Sequence, residues 1–375
     1  MFYSNFSFKK TDIKYAKFKD SEIHAIVRVL DESLTFLEQL ESVMSALDAF
    51  EKEQQLPIVF LRFLTSDCSN QTLEILKNVE TKYQNVAISV IGQPPLDMTK
   101  LSLLVYMRKC DSVERIDNYT IKVNSGNLSH YFSSNIVSNI QDTYSETELQ
   151  LSYLEKMLLN ENLNIAANCV RTWFYVQNID VNYSGVVKAR RENFEKNSLT
   201  EKTHYIASTG IGGRFYDKDV TSVLDSYSVG GLKEKQLGYL YAAKNMNRTS
   251  DYGVTFERGS YVDYQDRRHI FVSGTASIDN KGAVVHLGDI KAQTFRMLEN
   301  IEALLKEASS GFEDLTHLVC YLRDIADYKI VKKIFEDKIP NVPYVITYAP
   351  VCRPQWLIES ECMAIKDLKT EFERF

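Results

Sequence analysis

The hydrophobic pattern of this 375-residue chain repeats one arrangement three times. From Pro57 the apolar run Ile-Val-Phe-Leu-Arg-Phe-Leu predicts a strand, followed by a helical stretch from Asn70 to Lys82 and the strand Asn-Val-Ala-Ile-Ser-Val-Ile. From Cys169 the strand Val-Arg-Thr-Trp-Phe-Tyr-Val-Gln-Asn leads to a predicted helix from Ser184 to Lys196 and a strand from His204. From His317, Leu-Val-Cys-Tyr-Leu-Arg-Asp leads to a predicted helix from Asp327 to Asp337 and a strand from Pro343 to Tyr348. A longer amphipathic helix is predicted before each: Leu34 to Phe50, Leu149 to Asn160, and Ile290 to Ala308. In the last, Met297, Ile301, Leu304, Leu305 and Ala308 share one face. Strands are predicted ahead of these helices at Ile23 to Val29, Tyr119 to Val123 and His269 to Ser273. The order is β, long α, β, short α, β, three times over. A period of roughly a hundred residues is too long for a solenoid. It predicts three α+β units, each a sheet covered by helices on one face. The alternative is a two-domain α+β protein, in which any βαβ segment resembles any other.

The densest chemistry lies near the end, in Val-Cys-Arg-Pro-Gln-Trp-Leu-Ile-Glu-Ser-Glu-Cys from Val351. A turn followed by a strand brings Arg353, Glu359 and Glu361 into one short element. Side chains alternate across a strand, so Glu359 and Glu361 share a face. Among Trp356, Leu357, Ile358 and Met363, two carboxylates are costly to bury without partners. The other reading is that this face meets solvent.

Composition narrows the class. With 44% hydrophobic and 25% charged residues the chain is an ordinary globular sequence of two or three units. The divisions expected are 1–112, 113–262 and 263–375. A net charge of -6 argues against nucleic-acid binding. The six cysteines form no CxxC pair and have no metal-ligand spacing to the six histidines, so they read as reduced core thiols, with no metal or cofactor expected. The N-terminal residues hold no apolar stretch of signal-peptide length, and no run approaches a membrane span, so a cytoplasmic protein without membrane contact is expected. The cluster Thr-Gly-Ile-Gly-Gly-Arg from Thr209 lacks the features of a P-loop or dinucleotide fingerprint and reads as a turn after a strand. Ala-Arg-Arg-Glu-Asn-Phe-Glu from Ala189 alternates charge and reads as a solvated helix face. The doublet Arg267-Arg268 reads as a surface turn.

Ser-Gly-Thr-Ala-Ser-Ile from Ser273, the helix from Ile290, Tyr-Leu-Arg-Asp from Tyr321 and Cys-Arg-Pro-Gln-Trp-Leu-Ile-Glu-Ser-Glu from Cys352 together resemble the YjgF/RidA family, also called endoribonuclease L-PSP or translation initiation inhibitors. The resemblance covers about residues 265–368. Its members are short chains forming homotrimers with sites between subunits. It therefore implies chorismate-mutase-like β-α-β-α-β units and, for three in one chain, an intramolecular pseudo-trimer, either monomeric or in a low-order homo-oligomer. A wider resemblance, over about 165–368, rests on Arg-Thr-Trp-Phe-Tyr-Val from Arg171, Ala-Arg-Arg-Glu-Asn-Phe-Glu, Ser-Thr-Gly-Ile-Gly-Gly from Ser208 and Phe-Glu-Arg-Gly from Phe256. These resemble the chorismatases, the chorismate hydrolases and 3-hydroxybenzoate synthases. The first 150 residues match no motif.

The chorismatase resemblance implies a small carboxylate substrate, chorismate, cleaved to pyruvate and a hydroxybenzoate or dihydroxycyclohexadiene carboxylate without cofactor. It implies Glu359 as proton donor, Arg258 and Arg323 as carboxylate clamps, and Cys352 and Tyr252 as pocket residues. An acid next to apolar side chains suits protonation of an enol ether, because burial raises its pKa. The Pro- and Arg-containing stretch and Tyr-Gly-Pro expected before Phe-x-Arg are altered here; Tyr252 and Gly253 remain and the proline does not. Two alternatives stand beside this: RidA-type hydrolysis of 2-imino or enamine acids, with Arg353 as the key residue, and a non-catalytic protein that binds a small carboxylate.

Overall fold

The structure, a computed structural model, describes residues 1–79 and 81–375, apart from the side chain of Tyr252. The first unit runs β1 (Phe2–Phe8), β2 (Thr11–Phe18), β3 (Glu22–Val29), α1 (Phe36–Gln54), β4 (Ile58–Thr65), α2 (Cys68–Val79), β5 (Ala87–Gly92) and β6 (Leu101–Arg108). The second runs β7 (Ser112–Arg115), β8 (Thr120–Ser125), β9 (Leu128–Ile136), α3 (Thr143–Asn160), the one-turn α4 (Ile165–Asn168), β10 (Cys169–Val176), α5 (Ile179–Lys196), β11 (Ala207–Gly212) and β12 (Ser222–Gly230). The third runs β13 (Leu237–Leu240), β14 (Gly259–Tyr264), β15 (Arg267–Ala276), α6 (Ile290–Glu307), β16 (Leu315–Leu322), α7 (Tyr328–Lys338), β17 (Tyr344–Tyr348) and β18 (Ile358–Asp367).

Each unit folds into a six-stranded mixed sheet of the same order. These are β1-β2-β3-β6-β4-β5, β7-β8-β9-β12-β10-β11 and β13-β14-β15-β18-β16-β17. The parallel pair in each, such as β16 with β17, is joined by the short helix as a βαβ crossover. The long helices start at side-chain caps. Thr35 and Glu38 form a reciprocal capping box on α1, and Asp289 accepts from Ala292 N–H on α6. The face of α6 predicted to be apolar is buried: Met297, Ile301, Leu304 and Leu305 are shut from solvent, with Ala308 just beyond the helix.

The sheets close into a ring. β5 lies against β9, β11 against β15, and β16 against β2 and β3. The three-unit α+β reading is therefore correct, and the chain forms its own pseudo-trimer. The third sheet begins at Leu237, so β13 and most of β14 precede residue 263, where the sequence division opens the last unit.

Three local expectations change. The strand leading into α3 is β9; β8, at the predicted Tyr119–Val123 position, pairs beside it. β9 escaped the pattern because its buried positions include Ser133 and His130, whose Oγ and Nδ1 meet Thr120 Oγ1 (2.8 Å) and the Tyr227 hydroxyl (2.7 Å). Arg267 is not at a surface turn but deeply buried, its Nη1 2.8 Å from Glu22 of the first sheet. The Gly-rich segment from Thr209 is not a turn but the body of β11.

Candidate active site between the second and third units

A cleft of about 230 Å³ opens between β11 and α5 of the second unit and β15 and β18 of the third. Glu359, Arg258, Cys352 and Arg353 all line it. They converge because the Cys352–Trp356 turn returns over the start of β18, while Arg258 enters from the segment leading into β14. The wall opposite comes from Tyr183, Arg190, Ser208 and Gly210, while Phe256 and Trp356 give the third-unit side its apolar lining.

Glu359 is 4% exposed. Burial and then the neighbouring Glu361 push its pKa up to about 8, while Arg171 and Arg258 pull the other way. Its carboxyl rests against Gly274, where an added Cβ would lie 2.2 Å from Oε1. Gly210 has the same function across the cleft, where a Cβ would meet the Tyr183 ring at 2.6 Å. Arg258 is held through Nε and Nη2 on the carbonyl of Asn247 (3.2 and 3.0 Å). Arg353 stacks 4.7 Å over Trp356 and reaches the Gly282 carbonyl at 3.4 Å. Cys352 has its thiol pushed up to about 12, by burial first and by Glu359 second, so it stays protonated as part of the wall.

The position of Glu359 is special within the ring. It pairs with Tyr321 on β16; the same register in the other sheets holds Val223, opposite Tyr175, and Ser102, opposite Leu64. At this strand position only the third unit presents an acid.

Two predicted residues are placed otherwise. Arg323 lies outside the cleft, with its guanidinium in a two-pronged pair with Asp180 (3.0 and 2.8 Å) and on the Val351 carbonyl. It bridges the second and third units and supports the turn that carries Cys352. The side chain of Tyr252 is outside the described residues.

Arg190 is the residue that sequence reasoning missed. The helix face from Ala189 is not solvated here: Arg190 has no solvent exposure. Its Nε reaches Thr255 Oγ1 (3.3 Å) and its Nη1 reaches Ser208 Oγ (3.4 Å), while Nη2 has no partner and the residue lines the cleft. A buried guanidinium with a spare donor beside a cavity is a ready partner for a carboxylate. Alternating charge in the sequence concealed it, because its partners lie 18 and 65 residues away. Among the described residues no cluster of His, Cys, Asp or Glu could hold a metal ion, and no helix is long and apolar enough to cross a membrane.

Comparison with known proteins matches these observations. The endoribonuclease L-PSP family matches residues 256–366. A RutC family protein of Pyrococcus abyssi is 34% identical over 103 residues, 26% of this chain and 79% of that protein. The 3-aminoacrylate deaminase RutC of Acinetobacter baylyi is 37% identical over 72 residues, 19% of this chain and 57% of the deaminase. A solved chorismatase superposes with a TM-score of 0.65 over 82% of this chain and 92% of its own, at 15% identity, and so shares the fold. The third unit, with its L-PSP signature and its RutC relatives, shows that the chain belongs to the RutC (YjgF/RidA, endoribonuclease L-PSP) family.

Proposed function

We propose that the cleft cleaves the enol-pyruvyl ether of chorismate, with Glu359 as the general acid. The observation that carries this reading is a carboxyl held protonated near neutral pH, facing a cleft that contains the guanidiniums of Arg190, Arg258 and Arg353. Chorismate brings two carboxylates for those cations and one electron-rich methylene carbon for the acid. Glu359 would deliver its proton to that carbon, leaving an oxocarbenium centre. Water added there gives a hemiketal, whose C–O bond to the ring breaks to release pyruvate, the ring oxygen leaving with a proton. The fold shared with a chorismatase supports this, and so does the presence of the acid in one unit alone.

A second reading has one observation in its favour, the RutC deaminase similarity confined to the third unit. There Arg353 would hold the carboxylate of a 2-imino or enamino acid while water attacks the C=N carbon. Incubating the purified protein with chorismate, with coupled detection of pyruvate and chromatography of the ring product, separates the two. Pyruvate in step with a hydroxybenzoate or dihydroxycyclohexadiene supports chorismate cleavage. Ammonia from a 2-imino acid, lost in Arg353→Ala, with no pyruvate from chorismate, supports deamination.

A further inference from the structure

Glu361 sits two residues from Glu359 on the same strand face, about 7 Å along it, yet it faces a different space. Glu359 lines the cleft, whereas Glu361 lines a second cavity where the three sheets meet. There Oε2 accepts from Arg171 Nη2 (2.8 Å) and from the Thr209 hydroxyl, and Oε1 accepts from Trp173 Nε1 (2.8 Å). All three donors belong to β10 and β11, so one buried carboxylate clamps the two sheets that wall the cleft.

From this clamp the bonds run directly to the site. Thr209 Oγ1 also accepts the Gly274 N–H (3.0 Å), and Gly274 is the residue against which the Glu359 carboxyl rests. Arg171 Nη1 reaches Ser273 Oγ (3.4 Å), which donates to the Glu257 carbonyl (2.6 Å), while Ser273 N–H donates to the carbonyl of Arg258 (2.9 Å). Both the proposed acid and a proposed carboxylate clamp thus hang from the same seam.

We propose that Glu361 is a positioning residue: held by Arg171 and Thr209, it fixes where the Glu359 carboxyl sits and how firmly that carboxyl keeps its proton. The inference rests on the reading of Glu359 as the acid. The titratable and charged groups around Glu359 are Glu361 on its own strand, Tyr321 on β16, Arg171 and Arg190 from the second unit, and Arg258, Arg353 and Cys352 from the third. Glu361 is the anion that opposes ionisation of Glu359, and Arg171 and Arg258 are the cations that ease it.

The test is carboxyl titration of Glu359 by NMR on protein labelled with 13C at glutamate Cδ, the signal being assigned by its loss in Glu359→Gln. It needs no turnover, so it reads the proposal even if chorismate proves not to be the substrate; absence of pyruvate from the wild type is the separate sign that the functional reading has failed. Glu361→Gln is expected to lower the Glu359 midpoint by about one pH unit or more, as removal of a charge at this distance implies. Thr209→Val keeps every charge and is expected to lower the same midpoint by letting Gly274 move back and water reach the carboxyl, with Thr209→Ser restoring it. If Glu361→Gln does not fold, the Thr209 pair decides. A Glu359 midpoint unchanged in whichever of these variants fold overturns the inference, because a merely structural clamp would lower the melting temperature and leave the midpoint where it was.

Discussion

Glu359→Gln is the most exposing perturbation, since it removes a proton and little else. Glu359 is buried with a pKa near 8, against the usual carboxyl value of 4.5. That difference is worth at most about 5 kcal/mol of proton-linked stability. The sign follows from the direction. A carboxyl whose folded pKa is raised stabilises the fold fully below pH 4.5, and the contribution is lost as pH rises through 8. Glutamine cannot ionise, so the variant should match the wild type at pH 4 and be the more stable protein at pH 9. Chemical denaturation at the two pH values reads this directly. Turnover should behave oppositely. Activity should hold through acidic and neutral pH, where the carboxyl carries its proton, and fall as pH rises through about 8. Loss of the acid should lower pyruvate release by about 10²–10⁴-fold at neutral pH, and the gap should narrow above pH 8 as the wild type itself loses the proton. The assay is continuous pyruvate detection with chorismate, beside a folding check by circular dichroism. A folded Gln variant that turns over within twofold of the wild type would refute the assignment of Glu359.

Three further outcomes follow from the same geometry. Gly274→Ala puts a methyl 2.2 Å from Glu359 Oε1, so it should cost about 1–3 kcal/mol in denaturant unfolding and remove most activity by displacing the acid. Arg190→Met keeps the bulk and removes the spare Nη2 donor; it should raise KM about ten- to a hundredfold while denaturation shows the fold retained. Arg323→Ala breaks the Asp180 bridge on a partly exposed surface and should cost about 0.2–1 kcal/mol by thermal melt. It should leave KM for the substrate near its wild-type value, because Arg323 does not line the cleft.

What the sequence determined alone was the local part: the three βαβ crossovers, the buried face of α6, and the shared face of Glu359 and Glu361. Those follow from periods of 3.6 and 2.0 acting over ten or twenty residues, and need no knowledge of what lies opposite. The motifs also located Arg258, Cys352 and Arg353 in the neighbourhood of that acid. What only the tertiary structure decided was which polar groups are inside. Arg190 reads as surface until Thr255 and Ser208 close on it, and Arg267 until Glu22, 245 residues away, meets it in the ring of sheets. The strand β9 reads as polar until Thr120 and Tyr227 take up its hydrogen bonds. Glu359 and Glu361 are alike in sequence, yet the ring sends one to a cleft and the other to the centre. A buried polar group is tolerated only through its partner, and here the partners come from other units of the chain.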